Sequence, residues 1–194
     1  MIVTGSREEK QTDIIKAAIR VFSEHGFDGA KMEYIAKEAG IGKGTVYEYF
    51  ESKERLFEEI LIFSVEEFSL GLKESMDLGK TIEEKLLNCS RFNAAFLNNH
   101  MDIVHIAMQI KTLSKEIRVH HMAVHAVILE HYKEMVKVAK AKGELRSDLN
   151  EELATYCIIG TLDQFSKQRV FINHRSLAEI DHQSVVDVML KGLK

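Results

Sequence analysis

Apolar residues recur every three to four positions along most of this chain, and no segment reads as a strand pair or an Asn-Gly hairpin. The first helix is predicted over Glu9 to His25, with Ile14, Ile15, Ala18, Ile19 and Phe22 on one face and Gly26 as its stop. Two short helices follow. Met32 to Ala39 turns Ile35, Ala36 and Ala39 inward, and Lys43 to Phe50 does the same with Val46 and Phe50; Gly40 ends the first and Ile41 plugs the turn. A fourth helix opens at the Ser52 N-cap and reaches Ser75, with Leu56, Phe57, Ile60, Phe63, Phe68 and Leu72 on its apolar side. Thr81 and Glu84 have capping-box spacing and open a helix to Asn98. Further helices are predicted over 101–113, over 116–142 with a stop at Gly143, from an Asp148 or Asn150 cap to Asn173, and over 184–193. The expected fold class is all-α.

Composition sharpens this picture in three ways. There is no proline in 194 residues, which fits helices joined by short links, because proline breaks helix interiors. Apolar content of 45% and charged content of 29% are ordinary for a globular protein, and no apolar run approaches the length of a membrane span. The start, MIVTGSREEK, has no basic stretch followed by an apolar one, so cytoplasmic residence without a membrane partner is expected. Cys89 and Cys157 lie far apart within apolar helical patterns and are expected to be two buried free thiols.

Charge gives no help to a nucleic-acid reading. The net charge is −4, and residues 1–55 hold nine Lys/Arg against ten Asp/Glu. A binder relying on bulk positive charge is disfavoured, since counterion release drives such binding. A binder with a few positioned cations is not.

Residues 31–53, KMEYIAKEAGIGKGTVYEYFESK, have the needs of a helix-turn-helix. Ala36 and Ala39 allow close helix crossing, Gly40 tolerates positive φ, and Lys43, Thr45, Tyr47 and Tyr49 place donors and ring hydroxyls on the outer face of the second helix. A bare helical hairpin would have no use for that face. The blocks I15-x-A17-A18-x-x-x-F22-x-x-x-G26-F27, I35-A36-x-E38-A39-G40-I41 and K43-G44-T45-V46-Y47-x-Y49-F50-x-x-K53, at these separations, resemble the TetR family of bacterial transcriptional regulators over residues 9–60. The segment Gly143 to Asp148 before a long helix is similar to the ligand-domain ending of many members, though less diagnostic. The resemblance implies a DNA-binding domain at 8–68, with its helix-turn-helix at 31–50, and a ligand-binding and dimerisation domain at 69–194. It implies that Tyr47, Tyr49 and Lys53 hold phosphates while Lys43, Gly44 and Thr45 lie where the recognition helix meets the groove. Two positions depart from the common pattern. Lys31 and Gly42 replace hydroxyl caps, a mild change for Gly42, whereas Lys31 weakens a cap and adds a cation beside the DNA backbone. Glu33 and Glu48 are exposed acids near the expected DNA face, and Glu48 has the chemistry to accept from a cytosine amino group.

The remainder of the chain is rich in Phe and Met. Phe92, Phe96, Met101, His105, Met108, Met122, His125 and Phe165 are the candidate effector-pocket lining, although such a stripe at helical spacing is more often plain core. His121 and His125, four apart, have acceptable metal-ligand spacing but lack the glutamate of a zinc-hydrolase helix; polar pocket groups or half-buried surface histidines are the more ordinary reading, and no metal is assigned. Gly160 and Thr161 permit close helix approach in the last two helices, which in the family pair with their twofold mates; an internal core face is the alternative.

The expected function is therefore a sequence-specific regulator, a repressor released from a palindromic double-stranded operator by a small lipophilic effector of unknown identity, acting as a homodimer. The rival is a helical small-molecule-binding protein whose hairpin is only structural. No nucleophile–base pair, metal triad or phosphate loop is present to suggest an enzyme, and no cofactor is implied.

Overall fold

In the computed structural model, residues 7–104 and 114–193 are described. The expected helix at 101–113 lies mostly outside them, only 101–104 being seen as helical, and so do the candidate lining residues His105 and Met108. Every regular element among the described residues is helical: α1 Arg7–Gly29, α2 Met32–Glu38, α3 Lys43–Tyr49, α4 Lys53–Leu78, α5 Ile82–Asn99, α6 Lys115–Ala141, α7 Glu151–Lys167 and α8 His182–Leu193. None of them is long and apolar enough to cross a membrane.

The helix ends follow local chemistry. Gly26 takes φ 67° and breaks α1 within its last turn. Thr81 and Glu84 form both bonds of the capping box that opens α5. Asn150, not Asp148, caps α7, its side chain accepting from the Leu153 N–H at 3.0 Å. Gly143 adopts φ 75° after α6, where the N–H groups of Gly143 and Glu144 return to the carbonyls of Lys140 and Ala139. One end departs from the expected pattern. The helix predicted to reach Asn173 stops being α-helical at Lys167 and widens to a π-turn over Gln168–Ile172, closed by an Asn173 N–H bond to the Gln168 carbonyl. Val170, in that turn, is buried with Ala94 and Ile180 in a small cluster of its own. Apolar spacing alone cannot show a one-residue change of helical winding.

The chain falls into two compact units: residues up to Val65 with those of Asp102–His120, and Glu66–Met101 with His121–Lys194. The division between them lies inside α4. The first core joins Ile14, Ile15, Ala18, Val21 and Phe22 of α1 to Met32, Ile35 and Ala36 of α2, Val46 of α3, and Leu56, Phe57 and Ile60 of α4. Phe22, Phe27 and Phe57 meet ring to ring at 5.4–5.7 Å in its centre. The second core is built from Leu72 and Met76, Leu86 and Cys89, Tyr132 and Val136, Ile158 and Leu162, and Val186 and Leu190.

Between α4 and α5 the chain reverses at Gly79, which is buried. A Cβ there would lie 2.6 Å from the Lys85 amide nitrogen and 2.9 Å from the Glu84 carbonyl carbon, both backbone atoms. The Lys85 ammonium donates to the Met76 carbonyl at 2.7 Å across the same elbow, and the Ile82 N–H donates to the Glu144 carboxylate at 2.5 Å. Gly79→Ala is therefore expected to destabilise the second unit by about 1–3 kcal/mol, the usual cost of overpacking, read as a lower midpoint in urea or thermal unfolding.

Candidate nucleic-acid interface and effector region

The turn between α2 and α3 is set by one residue. Gly40 has φ 68°, and around it the Gly40 N–H returns to the Lys37 carbonyl at 3.2 Å and the Ile41 N–H to the Ala36 carbonyl at 3.0 Å. That is a Schellman closure, which satisfies the last carbonyls of α2 and folds Ile41 back onto the core. Lys31 and Gly42, at the N-caps of α2 and α3, make no side-chain cap bond. Both short helices therefore depend on packing, through buried Met32, Ile35, Ala36 and Val46, and on the Arg20–Glu38 ion pair at 2.5 Å that ties α1 to α2.

The opposite face of α3 is open. Lys43, Gly44, Tyr47 and Glu48 are exposed, while Thr45 and Tyr49 are half-buried. Tyr47, at 46% exposure, contributes nothing to the core, which is unusual for an aromatic residue without a partner surface. Lys31 is exposed, with its ammonium 5.6 Å from the centre of the Tyr34 ring.

Lys53 has partners within the chain that the family resemblance does not name. Its ammonium donates to the carbonyls of Phe27 at 2.7 Å and Ala30 at 3.2 Å, and lies 4.6 Å from the centre of the Phe27 ring. These carbonyls belong to the chain that leaves α1 after the Gly26 break, where no helix supplies donors. The first residue of α4 thus holds the α1–α2 connection, and its charge is already engaged. Sequence spacing could not show this, because Lys53 lies more than twenty residues from either carbonyl.

In the second unit, the candidate lining residues divide. Phe92 and Phe96 are half-buried and join Phe68 and His100 in a run of ring contacts at 4.0–5.8 Å. Gly71 makes room for it: a Cβ there would lie 2.6 Å from the Phe92 ring. His100 is fixed by a bond between Nδ1 and the Phe96 carbonyl and faces the Glu67 carboxylate at 3.4 Å. Met101 and Phe165 pack beside Ala94, Val170 and Ile180. Met122 and His125, by contrast, are exposed, Met122 by 71%. The core face of α6 runs through Ile128, Tyr132, Met135 and Val136, toward the C-terminal side of both residues. His121 and His125 stack at 6.5 Å, and among the described residues no third ligand joins them in a metal-binding group.

The sequence reading missed a buried polar seam. Cys89 and Asn93 of α5 meet Tyr132 of α6, and burial raises the Cys89 thiol to about 12 and the Tyr132 hydroxyl well above its ordinary value, so both are protonated. Nearby on α5, the Ser90 hydroxyl lies 2.8 Å from Nδ1 of His182, the first residue of α8. Cys157, expected to be buried, is exposed. The alternation of apolar and polar residues on α7 is too regular on both sides to say which side meets the core.

A glycine-closed helix pair presenting a polar, aromatic helix face, joined to a second all-helical unit, defines a DNA-binding transcriptional regulator with a separate regulatory part. Comparison with known proteins agrees. Residues 14–60 match the family model of bacterial regulatory proteins, tetR family. The chain is 24% identical over 188 residues to the fatty acid metabolism regulator protein of Bacillus subtilis, covering 96% of this chain and 97% of that protein. It is 26% identical over 159 residues to the transcriptional regulator UidR of Escherichia coli, covering 77% and 76%. The crystal structure of FadR from Bacillus subtilis in complex with stearoyl-CoA superposes with a TM-score of 0.71 at 24% identity, over 94% of this chain and 99% of that one. Over residues 14–60 the chain is therefore similar to the tetR family of bacterial regulatory proteins, and the relatives it matches over most of its length are transcriptional regulators rather than enzymes.

Two expected outcomes follow from this geometry. Lys53→Met removes a charged donor from two carbonyls and is expected to cost the first unit about 1–2 kcal/mol, read in urea unfolding, while the salt dependence of DNA binding stays as in the wild type. Acidification acts on the second unit. Burial lowers the affinity of His182 for a proton, and Arg91 lowers it further while Asp181 opposes; burial and then Lys73 do the same to His131, against Asp77. Each folded ring releases its proton more readily than the unfolded one, so the unfolded chain binds more protons as pH falls. Stability is full above the unfolded histidine value of about 6.5 and declines below it. The thermal midpoint is expected to drop between pH 7.5 and 5.5, and to drop less in His182→Gln. Asp77, Glu84, Glu179 and Asp181, all held below their ordinary values by hydrogen bonds, act only at lower pH.

Proposed function

We propose that this regulator is a homodimeric, cytoplasmic repressor that leaves a palindromic operator when a small lipophilic effector binds residues 69–194. The observation that carries the DNA half is the Gly40 closure, which fixes α3 with Lys43, Gly44, Thr45, Tyr47 and Tyr49 along its open face. Residues 8–68 form the DNA-binding domain. Lys43 and Thr45 reach base edges, Tyr47 and Tyr49 hold phosphates, Lys31 adds a cation near the backbone, and Lys53 stands behind them as the group that holds the α1–α2 connection. The half-sites then lie a multiple of about 34–36 Å apart.

The effector half is supported by the ring cluster of Phe68, Phe92 and Phe96 beside Met101 and Phe165, an apolar environment with His100 at its edge. A relative of the same fold holds stearoyl-CoA, so a long-chain acyl thioester is the first effector to try. The dimer is supported by exposed apolar side chains on the last two helices: Leu153, Tyr156 and Cys157 precede Gly160 on one stripe of α7, and Val188 is 69% exposed on α8. Val185, Val186 and Met189 of α8 are buried within the chain and leave Val188 as its outward apolar side chain among the described residues.

The test is fluorescence anisotropy with duplexes selected from a random pool. Nanomolar, sequence-selective binding is expected, displaced by stearoyl-CoA with a 5–150-fold loss of affinity, the range of a coupling of about 1–3 kcal/mol. Val188→Glu is expected to give monomers in sedimentation and to abolish tight binding. A chain that shows no sequence preference would restore the rival reading of a purely structural hairpin.

A further inference from the structure

Charge poses a problem for the proposed function. The DNA-binding end is not basic overall, and several of its cations are already engaged. Arg20 is paired with Glu38, Arg55 with Glu58 and Glu59, and the Lys53 ammonium with main-chain carbonyls. The structure supplies two cations beside the recognition helix that neither the sequence motif nor the family comparison assigns. Arg7 and Lys10, both exposed at the start of α1, line a cleft of about 370 Å³ whose other wall is Glu48 and Tyr49 of α3. The Arg7 guanidinium lies 5.6 Å from the centre of the Tyr49 ring.

We propose that this cleft is a phosphate clasp, in which Arg7 and Lys10, together with the Tyr49 hydroxyl, seat one backbone phosphate of the operator in each subunit. The inference rests on the DNA-binding reading above and extends it to residues outside the helix-turn-helix. A guanidinium resting against an aromatic ring is ordered without spending its five N–H donors, which remain free for an oxyanion. Lys10 lies three residues further along α1, so both cations share a face of that helix. Among the described residues no ion pair ties either of them to a carboxylate. Glu48 is the single acid in the lining, outnumbered by the two cations. The occupant is a DNA phosphate rather than a free anion because one wall of the cleft, Glu48 and Tyr49, belongs to α3, the helix proposed above to meet the duplex.

The ring contact also does something for Tyr49. It holds the half-buried tyrosine at the end of α3, a helix of only seven residues with no side-chain cap at its start. Contact with the phosphate therefore sets where the end of the recognition helix lies on the duplex.

The experiment uses the full chain and two duplexes, one selected for tight binding and one of scrambled sequence, with affinity measured from 50 to 300 mM salt. Arg7→Gln/Lys10→Gln is expected to reduce the slope of log affinity against log salt by about 2 for a dimer, since each phosphate neutralised contributes about 0.9. Affinity should fall by a similar factor on both duplexes, and Arg7→Lys should retain most of the slope. Both side chains are exposed, so the unfolding midpoint should not move. An unchanged slope overturns the clasp, and so does a loss confined to the selected duplex, which would make these residues base readers. If the wild-type chain itself prefers neither duplex, the regulator reading fails first, and the clasp with it.

Discussion

The backbone reversal at Gly40 is the constraint on which the DNA-binding unit turns. A left-handed residue there lets two N–H groups satisfy the last carbonyls of α2, and it aims α3 across α2 rather than away from it. A side chain at that φ would cost about 1 kcal/mol or more in strain. Neither α2 nor α3, at seven residues each, could stand alone, because helices this short do not recover their nucleation cost in water. They persist because the turn holds them at the distance where Ala36 and Val46 close on the Phe22–Phe57 core. The exposed face of α3 is what remains once that packing is complete.

The same logic of scarce charge runs through the unit. With acids and bases nearly balanced, several cations are already engaged within the unit. Arg20 and Arg55 make ion pairs within the unit, at exposures where such pairs contribute little energy but fix geometry. Lys53 replaces missing helical donors at the end of α1. Lys43 and Lys31, with the cations at the start of α1, are the groups proposed above for DNA. Affinity built this way depends on placement, and a dimer doubles a small number of contacts into a useful one.

The regulatory unit is organised differently, around buried polar groups. Tyr132, Cys89 and Asn93 form a protonated, low-dielectric seam among apolar side chains, and Ser90 with His182 joins α5 to the start of α8. Buried polar groups cost free energy unless partnered, so this seam specifies how α5, α6 and α8 register against one another. The helix α4 is unbroken from Lys53 to Leu78, with its first turns in the DNA-binding unit and the remainder among the aromatic residues of the second. The Phe92 ring packs against Phe68 of that helix, where Gly71 leaves no room for a side chain.

The helices, their caps and the helix-turn-helix were legible in the chain because each is written in residues close together: Thr81 with Glu84, Gly40 after Ala39, Val46 four before Phe50. So was the exposed face of α3, since a core has no use for its pattern. What could not be read depends on residues distant in sequence or on a choice of face. The ammonium of Lys53 went to carbonyls more than twenty residues away, Arg7 came to rest on Tyr49, and the winding of α7 changed at Gln168. Met122 and Cys157 looked inward by composition but turned outward. Periodicity reports that a helix has an apolar stripe; only packing decides which stripe is buried when two are available. The sequence by itself determined an all-helical regulator and the location of its DNA-reading helix, because those follow from local backbone preference. Tertiary structure alone decided which charges remain available to DNA and which aromatic residues gather into one cluster, because both are settled by long-range contacts.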